Sequence, residues 1–139
     1  MENAFFQSIE TKPDQSTLDL NLILENLALT SDGLIPVITQ DAHTKDILMM
    51  AWMNKSAITK TLESKCMTYW SRSRQSYWVK GETSGNTQQL VSMSLDCDGD
   101  ALLCKVIQKG PACHTGRDNC FYFDLNYEKQ IATVKGNCK

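Results

Sequence analysis

The spacing of apolar residues changes several times along the chain, and each change marks an element. Leucines recur through residues 18–29, which predicts a short helix capped by Ser16 or Thr17 and closed by Ser31, Asp32 and Gly33. Residues 34–40 and 47–53 are apolar runs on either side of the polar stretch 41–46, which predicts two paired strands and their turn. Asn54 and Ser56 open a predicted helix over 55–64, where Ala57, Ile58, Thr61 and Leu62 recur at helical spacing. Strands are predicted over 67–71 and 76–79, followed by a glycine-bearing loop over 81–86.

Residues 88–100 read as one more strand. Val91, Met93, Leu95 and Cys97 share one parity; Ser92, Ser94, Asp96, Asp98 and Asp100 share the other. Successive strand side chains point to opposite faces, so the aspartates are expected on a polar face and Cys97 on the face behind it. A turn at Gly99 breaks the alternation before Asp100. Residues 101–108 then read as a returning strand, and 121–125 as the last. Few helices, many strands and antiparallel hairpins give the α+β class. At 139 residues one domain is expected over 17–139, preceded by a loose polar arm, 1–16, that contains Pro13.

Charge narrows the partners. A net charge of −2 and a pI of about 5.6 give neither a nucleic-acid footprint nor a polybasic membrane patch. The N-terminus lacks the basic start and apolar run of a signal peptide, and no apolar stretch approaches the ~20 residues that span a bilayer. The six cysteines are therefore expected as reduced thiols in the cytoplasm.

Four of those cysteines lie in DCDGDALLCKVIQKGPACHTGRDNC, residues 96–120, with three aspartates at alternate positions, Asp96, Asp98 and Asp100, and one of the two histidines. Oxygen ligands suit Mg²⁺, Ca²⁺ or Mn²⁺, and thiolates suit Zn²⁺, so two metal sites of different character are expected. Asp96, Asp98 and Asp100 begin like a calcium loop. The EF-hand pattern then fails at Ala101, where glycine is required, and at Ile107, where the bidentate glutamate belongs. A Mg²⁺ site is favoured over a merely solvated acidic turn. Cys113 and Cys120 are seven apart, not a zinc-ribbon spacing. Adding Cys97, which strand parity places on the opposite face and which could come from a second subunit, gives three sulfurs and an open position for water, the arrangement of a catalytic zinc. A closed structural site using Cys104 or Cys66 is the alternative. Cys104 otherwise reads as core, and Cys66 and Cys138 as incidental.

His114 beside such a zinc is placed as a proton shuttle or general acid; the plainer reading is a histidine that only hydrogen-bonds backbone. His43 reads as exposed. Arg72, Arg74 and the run Lys80, Gly81, Glu82, Thr83, Ser84, Gly85, Asn86 read as an anion-binding surface in which backbone N–H groups and cations meet phosphate. Trp70, Tyr77 and Trp78 could stack on a base or simply pack in the core.

The stretches AWMNKSA, YWSRSR, WVKGETSGNTQ, LDCDGDALL and GPACHTG…CF, spread over residues 34–122, resemble the phosphoribosyl-AMP cyclohydrolase family of histidine biosynthesis. Asn119 departs from the family's small hydroxyl residue before the second loop cysteine. Only about fifteen residues follow Phe123, so the fused pyrophosphohydrolase of some relatives is expected to be absent and the chain to be monofunctional. The resemblance implies an intertwined homodimer with Zn²⁺ on Cys97 of the partner subunit and on Cys113 and Cys120. It implies Mg²⁺ on Asp96, Asp98 and Asp100. It also implies a small-molecule substrate, N1-(5-phosphoribosyl)-AMP, whose adenine ring opens by water attack at C6 with cleavage of the N1–C6 bond. His114 would then move protons, and Arg72, Arg74, Lys80 and the 81–86 loop would hold the phosphates. Two rivals remain. A zinc nucleobase deaminase needs H-x-E and P-C-x-x-C, yet His114 is followed by Thr115 and Gly116, and Cys113 has no partner cysteine three residues on. A non-enzymatic metal-stabilised binding module is the other.

Overall fold

The polar turn after residue 40 folds the first two strands together. Asp41 Oδ1 accepts the backbone N–H groups of His43 and Thr44 at 2.8 and 2.9 Å, and Lys45 takes the left-handed conformation (φ 71°). The flanking apolar runs then pair antiparallel as β1 (Ile35–Asp41) and β2 (Ile47–Met53). The computed structural model describes residues 3–139. Next come α3 (Lys55–Ser64), the hairpin β3 (Thr68–Ser71) and β4 (Ser76–Val79), and the hairpin β5 (Gln88–Leu95) and β6 (Leu102–Gln108). β7 (Phe123–Asn126) and β8 (Ile131–Val134) end the chain, and two short helices, α1 (Ala4–Ile9) and α2 (Leu20–Glu25), begin it. The architecture is α+β, rich in antiparallel hairpins, as expected.

One four-stranded sheet has the order β2-β1-β6-β5. Its central pair, β1 with β6, is parallel, which local patterns did not predict. Side chains of Ile35, Val37, Met53, Ile58, Met67, Tyr69 and Val106 are almost wholly buried between this sheet, α3 and β3. Asn54 caps α3 by accepting the Ala57 N–H at 2.8 Å. Thr61 Oγ1 locks the helix onto β3, accepting from Thr68 N at 3.0 Å and donating to Thr68 O at 3.3 Å. Among the described residues, no helix is long and apolar enough to cross a membrane.

Several expectations are corrected. The arm 1–16, whose first two residues lie outside the described residues, is not wholly loose. Asn3 caps α1, and Phe6 is buried because its ring lies over the bare Cα of Gly99, where a Cβ would come within 2.2 Å of the ring. Asp19, not Ser16 or Thr17, caps α2, accepting Leu22 N at 3.1 Å, and that helix spans two turns less than the leucine pattern suggested. The strand predicted over 88–100 ends at Leu95, and its register shifts between Leu90 and Ser92, leaving Val91 exposed. A bulge reverses the parity of everything beyond it. The parity argument for Cys97 therefore fails, since Cys97 stands in a turn.

Candidate active site

The loop between β6 and β7 carries both cysteines of the expected thiolate pair. It hangs from two strands: Lys109 N donates to Thr87 O at 2.9 Å at its entry, and Cys120 N donates to Leu48 O at 2.8 Å at its exit. Between them the loop doubles back through Ala112 N to Asp118 O (3.3 Å) and Cys113 N to Arg117 O (3.1 Å), with Gly116 at φ 87° making the turn. This reversal brings Cys113 and Cys120, seven apart in the chain, near enough for each to influence the other's thiol.

The two thiols are driven in opposite directions. Burial pushes the Cys113 thiol up, but the Thr115 hydroxyl (3.1 Å from Sγ), the Thr115 N–H, Cys120 and the Arg117 charge outweigh it and hold the thiol below its usual value. Cys120 is pushed up to about 11 by burial first and then by the charge and hydrogen bond of Cys113, with Lys80 opposing. The Cys113 thiol is thus the easier of the two to deprotonate, and a soft cation would favour loss of both protons. That donor set fits Zn²⁺, and it leaves coordination positions to be filled from elsewhere.

Lys80 reaches the same place. Its ammonium donates to Ala112 O and lies 5.8 Å from the Trp78 ring centroid; burial lowers its pKa while the two cysteines oppose that shift. A cleft of about 470 Å³ opens here, lined by Lys80, Ser84, Asn86, Cys113, His114 and Asp118, among others. His114 is exposed to it, and its imidazole makes no hydrogen bond among the described residues.

The glycine loop is packed against the thiolate loop. Gly81 takes φ 83°, and a Cβ there would lie 2.5 Å from the Asn86 and Thr87 backbone, so only glycine fits. A Cβ on Gly110 would meet Asn86 Oδ1 at 2.3 Å. Asn86 N bonds Ser84 Oγ at 3.2 Å and Gly85 N bonds Gly81 O at 2.8 Å. Lys80, Ser84 and Asn86 therefore face the cleft, whereas Glu82 lines a separate open cleft with Lys60, Glu63 and Tyr77, and Thr83 is exposed. Arg72 and Arg74 lie in the β3–β4 turn, outside the cleft. The Arg72 guanidinium sits 4.7 Å from the Trp52 ring centroid, and Arg74 bonds Ser71 Oγ through its backbone N (3.2 Å). Trp70 packs on Tyr77, and Trp78 on the buried Tyr69.

Asp96, Cys97, Asp98 and Asp100 occupy the β5–β6 turn. Asp96 Oδ1 accepts the N–H groups of Asp100 (2.9 Å) and Ala101 (3.3 Å). Burial raises the Asp96 carboxyl, but its hydrogen bonds with the Asp100 side chain and the turn's N–H groups outweigh that and lower it; Asp100 is raised, first by its side-chain hydrogen bond to Asp96. Paired carboxyl groups are a donor set that a hard divalent cation would suit. β5 and β6 pair from Leu95–Leu102 to Gln88–Gln108, with the irregularity after Leu90. Cys97 lies in the turn beyond the Leu95–Leu102 end, whereas the thiolate loop leaves from the Gln108 end. Among the described residues no three His, Cys, Asp or Glu side chains group as a metal site. Cys104 is sealed in the sheet, its thiol pushed up to about 12 by burial, and Cys66 and Cys138 are exposed. Thr115, the donor to Cys113, was missed, because nothing in a lone Thr after Cys-His signals a sulfur contact.

The family model for phosphoribosyl-AMP cyclohydrolase matches residues 49–122. Proteins named phosphoribosyl-AMP cyclohydrolase are similar over most of the chain. That of Ruegeria pomeroyi is 64% identical over 99 residues (71% of this chain, 83% of the relative). That of Cereibacter sphaeroides is 56% identical over 100 residues (72% and 84%). That of Hydrogenovibrio crunogenus is 50% identical over 129 residues (92% and 88%). The matched span contains the thiolate loop, the glycine loop and the acidic turn, and the chain belongs to the phosphoribosyl-AMP cyclohydrolase family.

Proposed function

We propose that the chain opens the adenine ring of N1-(5-phosphoribosyl)-AMP by adding water at C6 and breaking the N1–C6 bond, in histidine biosynthesis. The observation that carries this reading is the doubled-back loop that brings Cys120 near Cys113, which lines a cleft with His114, Lys80, Ser84 and Asn86. Cys113 and Cys120 would hold Zn²⁺ together with Cys97 of the partner subunit, and Asp96, Asp98 and Asp100 would hold Mg²⁺. The zinc, when bound, supplies Lewis acidity that makes water nucleophilic at neutral pH.

The rest is done by the chain's own side chains. His114, its ring nitrogens unoccupied, takes the proton from the attacking water and returns one to N1 as the ring opens. Lys80 and the N–H groups around Ser84 and Asn86 hold phosphate oxygens beside the reacting ring. Arg72 and Arg74 are assigned to phosphate as well. They lie outside the cleft of one chain, so they contribute only if a second copy brings them to it.

A homodimer is part of this reading for a geometric reason: one chain holds Cys97 at the far end of a hairpin from its thiolate pair. The β7–β8 hairpin supports it further. Phe123, Leu125, Ile131 and Val134 are all exposed, Leu125 at 84%, and an isolated two-stranded ribbon is marginal in water.

The product decides the chemistry. Incubation with N1-(5-phosphoribosyl)-AMP should yield a product heavier by one water, with no ammonia released. Ammonia release would put the deaminase reading first. Binding without any mass change would leave the non-enzymatic module.

A further inference from the structure

Gln88 is a fully buried amide, 1% exposed, whose polar atoms are all paired. Its Oε1 accepts from Tyr69 Oη at 2.6 Å. Its Nε2 donates to Gln108 Oε1 at 2.9 Å and to Met49 Sδ at 3.4 Å. Tyr69 Oη, having given its proton to Gln88, accepts from Thr39 Oγ1 at 2.7 Å. One side chain therefore ties β5 to β6, β2 and β3, and through Tyr69 to β1.

Gln88 and two of its partners, Gln108 and Met49, are each one residue from a point where the thiolate loop is hung. Thr87, before Gln88, gives the carbonyl that accepts Lys109 N at the loop's entry, and Gln108 precedes Lys109. Leu48, before Met49, gives the carbonyl that accepts Cys120 N at its exit. β2 and β6 are not neighbours in the sheet, because β1 lies between them. The β1–β2 register also shifts between Thr39 and Gln40, opposite Met49. Pairing is least constrained at a bulge, and a slip of one residue would move the Leu48 carbonyl by ~3.3 Å. Such a shift would change the spacing of Cys113 and Cys120 at the two ends of the loop's doubled-back turn. Thr39 and Met49, the residues flanking the irregularity, are both in the Gln88 network.

We infer that Gln88 is the positioning residue of the Cys113–Cys120 pair. It fixes the spacing of the two sulfurs by cross-tying, through the core, the strands that carry the two ends of their loop.

The test uses the full chain and two readouts. Phenylarsine oxide, which bridges closely spaced thiols, reports the pair in metal-free reduced protein. Zn²⁺ affinity, by competition with a chromophoric chelator, reports it as a metal site and rests on the function proposed above. Gln88→Leu should weaken both by about 10–100-fold, the usual effect of removing a group that orients ligands. Ile58→Val, a core change on α3 that touches none of these groups, should lower the melting temperature and leave both readouts unaltered. If Gln88→Leu does not fold, Tyr69→Phe keeps the ring, removes the hydroxyl that donates to Gln88 and accepts from Thr39, and is read in the same way. A folded variant that loses stability but keeps both affinities overturns the inference. Weakened arsenical binding in a protein whose unaltered form binds no zinc would sink the zinc reading and leave the role of Gln88 standing.

Discussion

Cys97 and Cys113 stand at opposite ends of the β5–β6 hairpin, one in the turn after Leu95 and the other in the loop after Gln108. Among the described residues of one chain Cys97 does not group with Cys113 and Cys120. On the function proposed above, three thiolates on one ion would need two chains, each lending Cys97 to the other. A closed two-fold dimer meets this with two equivalent sites. Leu125→Asp, on the exposed β7–β8 ribbon, is expected to shift the protein toward monomer in sedimentation velocity and to lower activity with it. A monomeric protein of full activity would refute the shared site.

On the proposed function, Cys113 and His114 have separable roles, ligand and proton carrier. Cys113→Ser should lose bound zinc and turnover together, whereas His114→Ala should keep its zinc and lose about 10²–10⁴ in kcat. Metal content and steady-state kinetics on the same preparations check both. Near-normal turnover in His114→Ala would leave that imidazole a surface group.

Thr115→Val removes the hydroxyl that donates to Cys113 Sγ at 3.1 Å while keeping the side-chain volume. Zinc affinity should fall by about tenfold or more, the effect typical of losing a hydrogen bond to a ligand atom. Thr115→Ser, which restores the donor, should recover most of it. Equal affinities in all three forms would show that the hydroxyl contributes nothing to the site.

Phe6 and Gly99 form a lock behind the acidic turn. Gly99→Ala must strain a residue at φ 70° and push its Cβ into the Phe6 ring, at a cost of about 1–3 kcal/mol or more. In a Phe6→Ala background the ring is gone and only the backbone strain remains, so the double-mutant cycle should show coupling of about 0.5–3 kcal/mol. Additive losses in urea unfolding would mean that α1 does not bear on the turn.

Burial raises the Cys104 thiol from its ordinary range to about 12. A group whose pKa is higher in the folded state lends stability that is whole below the unfolded pKa and drains away as pH rises toward the folded one. Its share should therefore fall between about pH 9 and 12, by at most about 1.4 kcal/mol per pH unit. Urea unfolding at several pH values should show a shallower alkaline decline for Cys104→Ala than for the unaltered chain. Parallel declines would contradict the buried, protonated thiol.

What the sequence disclosed follows its local signals. α3 was legible because Asn54, the helical spacing of Ala57, Ile58 and Thr61, and the following strand all agree. The hairpins were legible from turn residues between apolar runs. β8 was not, because Ile131–Val134 is four residues long and lies wholly on the surface. The β1–β6 parallel pairing was not, since it joins residues far apart in the chain and leaves no local mark. The failure at Cys97 is the instructive one. Period-two reasoning assumed an unbroken strand, and the bulge after Leu90 together with the early end at Leu95 removed that assumption, although the geometry again keeps Cys97 from its own chain's pair. Cys113 and Cys120 looked ill-spaced for zinc because spacing along the chain does not register a loop that doubles back.

The shared site is tested most directly by mixing two inactive proteins. Cys97→Ser lacks the lent thiolate, and Cys113→Ser lacks the pair. Unfolded together and refolded, they form mixed dimers in which one of the two sites has Cys97, Cys113 and Cys120 intact. The account predicts recovery of roughly a quarter of the unaltered turnover of N1-(5-phosphoribosyl)-AMP, since half the dimers are mixed and each has one good site. Mixed dimers demonstrated by mass, with no recovered turnover, would contradict it.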